Sequence, residues 1–173
     1  MNKAGIYLHI PFCKTKCIYC DFYSVTKRED SISKFIECLI KEIELNKNKL
    51  KNYEFDTIFF GGGTPSVLTE SQLEKILTAL YKYYKIDKNI EITLECNPGE
   101  VTFKKLKGFR NLGINRLSIG FQSFNNHTLK FLGRLHNAEQ SILTYNEARK
   151  AGFNNINIDL IYDIPKQKLK DWK

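Results

Sequence analysis

Cys13, Cys17 and Cys20 are the residues whose type and spacing most directly imply chemistry. The pattern Cys13-x₃-Cys17-x₂-Cys20 offers three thiolates on a loop short enough to wrap one metal centre. On a four-iron, four-sulfide cube, three protein ligands leave one iron without a partner. That open iron can take a small chelating molecule while the rest of the cluster supplies an electron. A cluster that only carries electrons would call for a fourth cysteine. Two cysteines remain available for that place: Cys38 falls on the apolar face of a helical pattern, as a small buried hydrophobe, whereas Cys96 closes a strand pattern beside other candidate residues and is less easily dismissed. Spacing alone leaves two other readings open. One is a zinc site with a fourth ligand such as His9; the other is a redox dithiol, Cys17-x-x-Cys20.

The elements that must position these thiols come from the hydrophobic pattern. Short apolar runs alternate with longer helical patterns along the whole chain. The runs are Ile6–Ile10, Thr57–Phe60, Ile90–Glu95, Arg116–Gly120 and Asn155–Tyr162. Between them, Ile32, Phe35, Ile36, Leu39, Ile40 and Ile43 recur at helical spacing, with Asp30 as N-cap. Thr69 with Gln72 forms a capping box ahead of Leu73, Ile76, Leu77 and Leu80. Thr102 caps a third helix that Gly113 ends, a short helical piece lies around Thr128–Leu132, and Asn137 with Gln140 opens a helix that Gly152 closes. Repeated strand–helix units predict an α/β fold with parallel strands, because a parallel pair needs a crossover. Each run is followed by residues that a plain turn does not require: the cysteines, Gly61-Gly62-Gly63, Glu95 with Asn97-Pro98, Gln122, and Asp159. In a (β/α) barrel such strand ends converge on one face, whereas an open doubly wound sheet gathers only those near its switch point. The expectation is a partial (β/α) barrel over residues 1–173, truncated after about five units and lacking a sixth unit and a C-terminal domain.

Composition narrows the class. With 173 residues and 42% hydrophobic content, the chain can bury one core. No run approaches the roughly 20 apolar residues of a membrane span, and His9 and Pro11 interrupt the N-terminal apolar run, so no signal peptide is read there. These features predict a cytoplasmic protein, in which five cysteines do not form a disulfide framework. The formal charge of +8 comes largely from lysines scattered along helix patterns, such as Lys47, Lys49, Lys51, Lys82, Lys85 and Lys88. That reads as a solvated surface whose field favours a small anionic ligand, and not as a nucleic-acid interface.

Several spaced motifs then occur in one order: Tyr7-Leu-His9-Ile-Pro11-Phe12-Cys13-x₃-Cys17-x-Tyr19-Cys20-Asp21-Phe22, Gly61-Gly62-Gly63-Thr64-Pro65-Ser66, Glu95-x-Asn97-Pro98, Ser118-Ile-Gly120-x-Gln122-Ser-Phe124, Leu132-Gly133-Arg134-x-His136 and Asn157-Ile-Asp159-Leu-Ile-Tyr162. Over nearly the whole chain they resemble the radical SAM superfamily, and within it the oxygen-independent coproporphyrinogen III oxidases and the related heme chaperones. The resemblance implies that Cys13, Cys17 and Cys20 hold a [4Fe–4S] cluster whose open iron is chelated by S-adenosylmethionine. One electron from the reduced cluster would cleave that molecule to methionine and a 5′-deoxyadenosyl radical. It further implies that Tyr7, Gly62 and Glu95 contact the cluster-bound S-adenosylmethionine. Gln122, Arg134, Asp159, Tyr19, Gly63 and Thr64 match further contacting positions, some of which serve a second molecule in the oxidase. His9 and His136 are candidate site residues whose simpler role is structural, and His127 reads as a surface residue at a helix start.

One departure separates the two branches. The oxidase pattern continues Cys-x-Cys after the third ligand, whereas this chain has Cys20-Asp21-Phe22. Phe22 resembles the heme-chaperone pattern, which implies a protein that binds heme and passes it to client hemoproteins, with an electron donor as a further partner. The alternatives are an oxidase that decarboxylates coproporphyrinogen III to protoporphyrinogen IX, and a zinc-binding domain without radical chemistry. The family also has glycine where Asp163 stands.

Overall fold

The computed structural model describes residues 2–172. Its centre is a five-stranded sheet built from β1 (Asn2–Ile10), β4 (Tyr53–Gly62), β5 (Ile86–Cys96), β6 (Arg116–Gln122) and β7 (Asn155–Leu160), in that spatial order. Every neighbouring pair is parallel. Helices α1 (Ile32–Asn46), α2 (Glu70–Tyr83), α3 (Phe103–Asn111) and α5 (Ala138–Ala151) make the crossovers. Two short strands, β2 (Phe12–Cys13) and β3 (Val25–Thr26), pair beside the sheet and bracket the cysteine loop. Helix α4 (Asn126–Phe131) lies between β6 and α5, and α6 (Leu169–Trp172) follows β7. The strand order never reverses, so there is no switch point and all strand ends gather on one rim. That is the progression of a partial (β/α) barrel.

Alternation divides the sheet into two chemically different faces. Leu8, Ile10, Ile58, Phe60, Ile92, Leu94, Leu117, Ile119 and Phe121 are buried in one core with Leu73, Ile76, Leu77 and Leu80 of α2, Leu106 and Phe109 of α3, and Ala148 of α5. Each such Leu, Ile or Phe contributes about 1.5–3 kcal/mol relative to exposure. The opposite face carries Tyr7 and His9 of β1, Glu95 of β5, Ser118 of β6, and Asn157 and Asp159 of β7. Register aligns them across strands: Tyr7 with Phe59, His9 with Gly61, Glu95 with Ser118, Ser118 with Asn157, and Gly120 with Asp159.

The helix signals behave as expected at most ends. Thr69–Gln72 and Asn137–Gln140 form reciprocal capping boxes, and the Thr102 side chain accepts from the Lys105 N–H. Gly113 and Gly152 adopt φ of 94° and 100° at their helix ends. Two expectations are corrected. Asp30 is not the N-cap of α1: a 3₁₀ turn over Glu29–Ser31 leads into the helix, and Ser31 holds that position without a side-chain cap. Its hydroxyl is occupied by Arg28 and Asp30 instead. Cys38 is exposed, not buried. It lines an open groove between α1 and β1, where nothing in the described chain covers the helix face. The strands also begin earlier than their apolar runs, because their first residues (Tyr53, Glu54, Ile86, Asp87) are polar or half-exposed while still pairing or extending in the sheet.

Among the described residues, no helix is long and apolar enough to cross a membrane.

Candidate functional site

The cysteine loop leaves the C-terminal end of β1 and is stitched to the glycine loop that leaves β4. The Gly63 N–H donates to the Ile10 carbonyl and the Thr64 N–H to the Phe12 carbonyl, each at 2.8 Å. The Val25 N–H donates to the Pro11 carbonyl at 2.8 Å, closing the loop at its far side, and Cys20 N–H to Cys17 carbonyl at 3.2 Å forms a turn inside it. Gly63 is required by this approach. A Cβ there would lie 2.8 Å from the Phe12 carbonyl oxygen and 2.9 Å from the Cys13 sulfur, closer than packing tolerates.

All three thiols are free, half-buried and share one cavity. Tyr19, Gly63, Thr64, Asn97, Arg134 and His136 complete its wall. Two donors reach the sulfurs. The Thr64 hydroxyl donates to Cys13 Sγ at 3.5 Å while accepting from Asn97 Nδ2 at 3.1 Å. Arg134 Nη1 donates to Cys17 Sγ at 3.6 Å and to the Tyr19 oxygen at 3.4 Å. Its Nη2 is fixed by Asn97 Oδ1 at 2.6 Å and the Gly120 carbonyl at 2.9 Å. Burial pushes the Cys13 thiol up from its ordinary value, opposed by the Thr64 hydroxyl.

Does this donor set fit an iron–sulfur cluster? Arg134 Nε is buried in the wall with no hydrogen-bond partner, an orphaned donor that an anionic group in the cavity would satisfy. Among the described residues, no three His, Cys, Asp or Glu side chains crowd closely enough to hold a single ion. The thiols instead surround a common space, which suits a multi-atom cluster. A fourth protein ligand does not present itself. Cys96 is buried in the core, where burial holds its thiol at about 12. Both ring nitrogens of His9 are engaged, Nδ1 with Tyr7 Oη at 3.0 Å and Nε2 with the Tyr23 carbonyl at 2.9 Å. The residues present therefore fit a cluster held by three cysteines.

A second group of polar residues continues from this cavity across the open face of the sheet. Gly62, at φ 115°, donates its N–H to Glu95 Oε2 at 3.1 Å. Burial pushes the Glu95 carboxyl up to about 7, the Gly62 N–H opposing and the Asp159 charge adding to it. Asp159 in turn accepts from the Ser118 hydroxyl at 3.1 Å and from Asn157 Nδ2 at 2.6 Å. Tyr7 stands at the near end of this group, exposed, with burial and the Glu95 charge raising its phenol.

The expected residues thus fall into two adjoining sets. Tyr19, Gly63, Thr64 and Arg134 line the thiol cavity; Tyr7, Gly62, Glu95 and Asp159 lie beyond it on the sheet face. Gln122 belongs to neither wall directly. It lines a separate cavity with Phe124, Leu160 and Trp172, although a Cβ on Gly120 would meet its amide nitrogen, Asn97 Oδ1 and Arg134 Nη2 within 3.4 Å. Asn97 was not among the expected site residues, yet it joins Thr64 to Arg134. Its signal was available in Glu95-x-Asn97-Pro98, since a strand end followed by Asn-Pro places an amide at the rim. Asp163, where the family resemblance implies a usual glycine, adopts φ 59°. Asp is among the side chains that tolerate this left-handed region, so the turn survives the exchange.

Comparison with known proteins agrees with the motifs. The chain is 41% identical over 172 residues to the heme chaperone HemW of Buchnera aphidicola subsp. Schizaphis graminum, covering 99% of this chain and 46% of that protein. It is 42% identical over 165 residues to the heme chaperone HemW of Lactococcus lactis, covering 95% and 42%. The chain therefore spans about half the length of these relatives. Its fold superposes with a TM-score of 0.90 on coproporphyrinogen III oxidase (HemN) from Escherichia coli, at 30% identity, covering 99% of this chain and 39% of that one. The Radical SAM superfamily model matches residues 7–173, and the chain belongs to that superfamily.

Proposed function

We propose that residues 1–173 are the cluster- and S-adenosylmethionine-binding core of a cytoplasmic heme chaperone, which binds heme and delivers it to client hemoproteins. Membership of the radical SAM superfamily implies a [4Fe–4S] cluster and S-adenosylmethionine; when bound, they supply one-electron chemistry that no side chain provides. In this reading Cys13, Cys17 and Cys20 hold the iron. Thr64 and Arg134 donate to the sulfurs of Cys13 and Cys17, which stabilises the more reduced cluster. The Gly62–Gly63 backbone leaves room for close approach of the methionine end. Glu95 and Asp159 would accept from the amino group and the ribose hydroxyls of S-adenosylmethionine, while Tyr7, Tyr19 and Gln122 would orient it.

The observation that carries the chaperone reading is Phe22, which stands where the oxidase pattern has a further cysteine. It is exposed, as are Ile18 and Tyr23 on the same loop. An exposed apolar loop beside a cationic surface supports binding of a flat apolar macrocycle with carboxylates. The close superposition on the oxidase favours a second reading, decarboxylation of coproporphyrinogen III. Both are tested on the anaerobically reconstituted protein. Electron paramagnetic resonance of the reduced protein should show a [4Fe–4S]⁺ signal that changes on adding S-adenosylmethionine. Incubation with coproporphyrinogen III should yield no protoporphyrinogen IX, whereas added heme should give a protein-bound Soret band. Robust turnover to protoporphyrinogen IX would overturn the chaperone reading, and zinc without iron or sulfide would overturn both.

A further inference from the structure

Gln122 ends β6 with a backbone that an L-residue rarely adopts, at φ 67°. The Ser123 N–H donates to the Phe121 carbonyl at 2.8 Å across it. An i→i+2 bond around a positive φ is a γ-turn of the strained kind. The register of β6 against β7 shifts at the same place, between Gly120 and Gln122. Something must hold this turn, and two contacts do. The Ile161 N–H donates to the Gln122 carbonyl at 3.0 Å. On the other side, His136 Nε2 lies 3.2 Å from the Phe121 carbonyl oxygen, in a site where His136 is 6% exposed.

A carbonyl oxygen only accepts, so the contact makes Nε2 the protonated nitrogen. Burial, with the Arg134 cation adding to it, holds the ring down to about 4, so His136 is neutral at physiological pH. The Phe121 carbonyl thus receives two N–H donors, one from the turn itself and one from a histidine fixed two residues beyond Arg134. The consequence is where Gln122 goes. Its amide folds back over Gly120, where a Cβ would sit 3.1 Å from Gln122 Nε2 and 3.4 Å from Arg134 Nη2. With this turn in place, the Gln122 amide lies close to the Asn97 and Arg134 side chains that wall the thiol cavity.

We propose that His136 is a positioning residue: it braces the strained turn at Gln122 and so holds the Gln122 carboxamide behind Asn97 and Arg134, from where it supports the ligand held by the cysteine site. The ligand part of this inference rests on the S-adenosylmethionine reading above; the bracing does not. Two readouts separate them. In the first, amide hydrogen exchange at Ser123 and Ile161 is followed without any cofactor. His136→Leu should speed both by about tenfold, the effect of losing one buried hydrogen bond. His136→Gln, whose carboxamide can still donate to Phe121, should stay close to the unmodified chain. Unchanged exchange in His136→Leu overturns the proposal, whatever the cofactor does. In the second, S-adenosylmethionine is titrated into the reconstituted, reduced protein. His136→Leu should keep the cluster signal and weaken the ligand-induced change by about tenfold, with His136→Gln restoring it. Equal binding by His136→Leu and the unmodified chain overturns the support of the ligand through Gln122, while no response in the unmodified chain overturns only the cofactor reading. If His136→Leu does not fold, the double variant with Gln122→Gly decides. Glycine holds positive φ without strain, so the proposal expects folding to recover, and failure to recover overturns it.

Discussion

Cys20 is half-buried with a free thiol, lies outside the core cluster and, among the described residues, has no hydrogen bond shown through its sulfur, so it can act as a ligand. Cys20→Ala should therefore leave the fold intact and lower bound iron and sulfide by more than about 100-fold, beyond what losing an outer hydrogen bond does. Metal analysis and the absorbance of the reconstituted variant check this, and a normal cluster spectrum would remove Cys20 from the ligand set. Glu95 gives a pH-dependent test. Its folded value of about 7 lies above the ordinary 4.5, so the folded chain keeps a proton between those values that the unfolded chain releases. Stability from this group is present below pH 4.5 and lost as pH rises to 7. Glu95→Gln can still accept from the Gly62 N–H but cannot ionise. Urea denaturation should show the variant gaining stability relative to the unmodified chain from pH 5 to pH 8; parallel curves would show that the carboxyl is not so buried. The thiols and Glu95 were legible in sequence because spacing and strand-end position announce them. Asn97 and His136 stood in the quoted motifs, but their contacts, an amide relay and a bond to a carbonyl, are properties of distance, which sequence does not carry.

At the scale of elements, the site exists because two loops are fastened together. β1 and β4 run side by side, and the Gly63 and Thr64 N–H groups of one C-terminal loop donate to the Ile10 and Phe12 carbonyls of the other. Gly63→Ala places a methyl group against the Phe12 carbonyl and the Cys13 sulfur, so the loops must separate. It should destabilise the chain by about 1–3 kcal/mol, the usual effect of overpacking, and reduce cluster assembly further than stability alone explains. Thermal melts and iron content on the same samples distinguish the two effects. The parallel units and helix caps were readable because capping boxes and apolar periods are local. Local pattern also misled at Cys38: helical spacing put it on the apolar face, but burial depends on what covers that face. The cap of α1 failed for a related reason, because a 3₁₀ turn shares the same acidic residues as a helix start.

Among the described residues, the five-stranded sheet ends at β1 on one side and β7 on the other. They differ in protection. β1 carries an apolar groove against α1, lined by Leu8, Phe35, Leu39 and Tyr84 among others. β7 is thinner still: Asn155, Asn157, Asp159 and Leu160 are exposed, and only Ile156 and Ile158 are half-buried. Its backbone is bonded to β6 alone, while β4 and β5 are flanked on both sides and carry the fully buried Ile58, Phe60, Ile92 and Leu94. Local opening free energy follows buried apolar contact and backbone pairing. Hydrogen exchange should therefore proceed from β7 inward, with β7 amides exchanging at least about 100-fold faster than those of β4 and β5. Because Asp159 and the Ile161 contact to Gln122 ride on β7, opening of this strand loosens the far end of the site while the thiol cavity, anchored on β1 and β4, persists. Unpaired edges also invite association, so sedimentation should show concentration-dependent oligomers. A soluble monomer with uniform exchange protection across all five strands and a single sharp melt would show that the edges are not weak points, and that this chain holds its site as one cooperative unit.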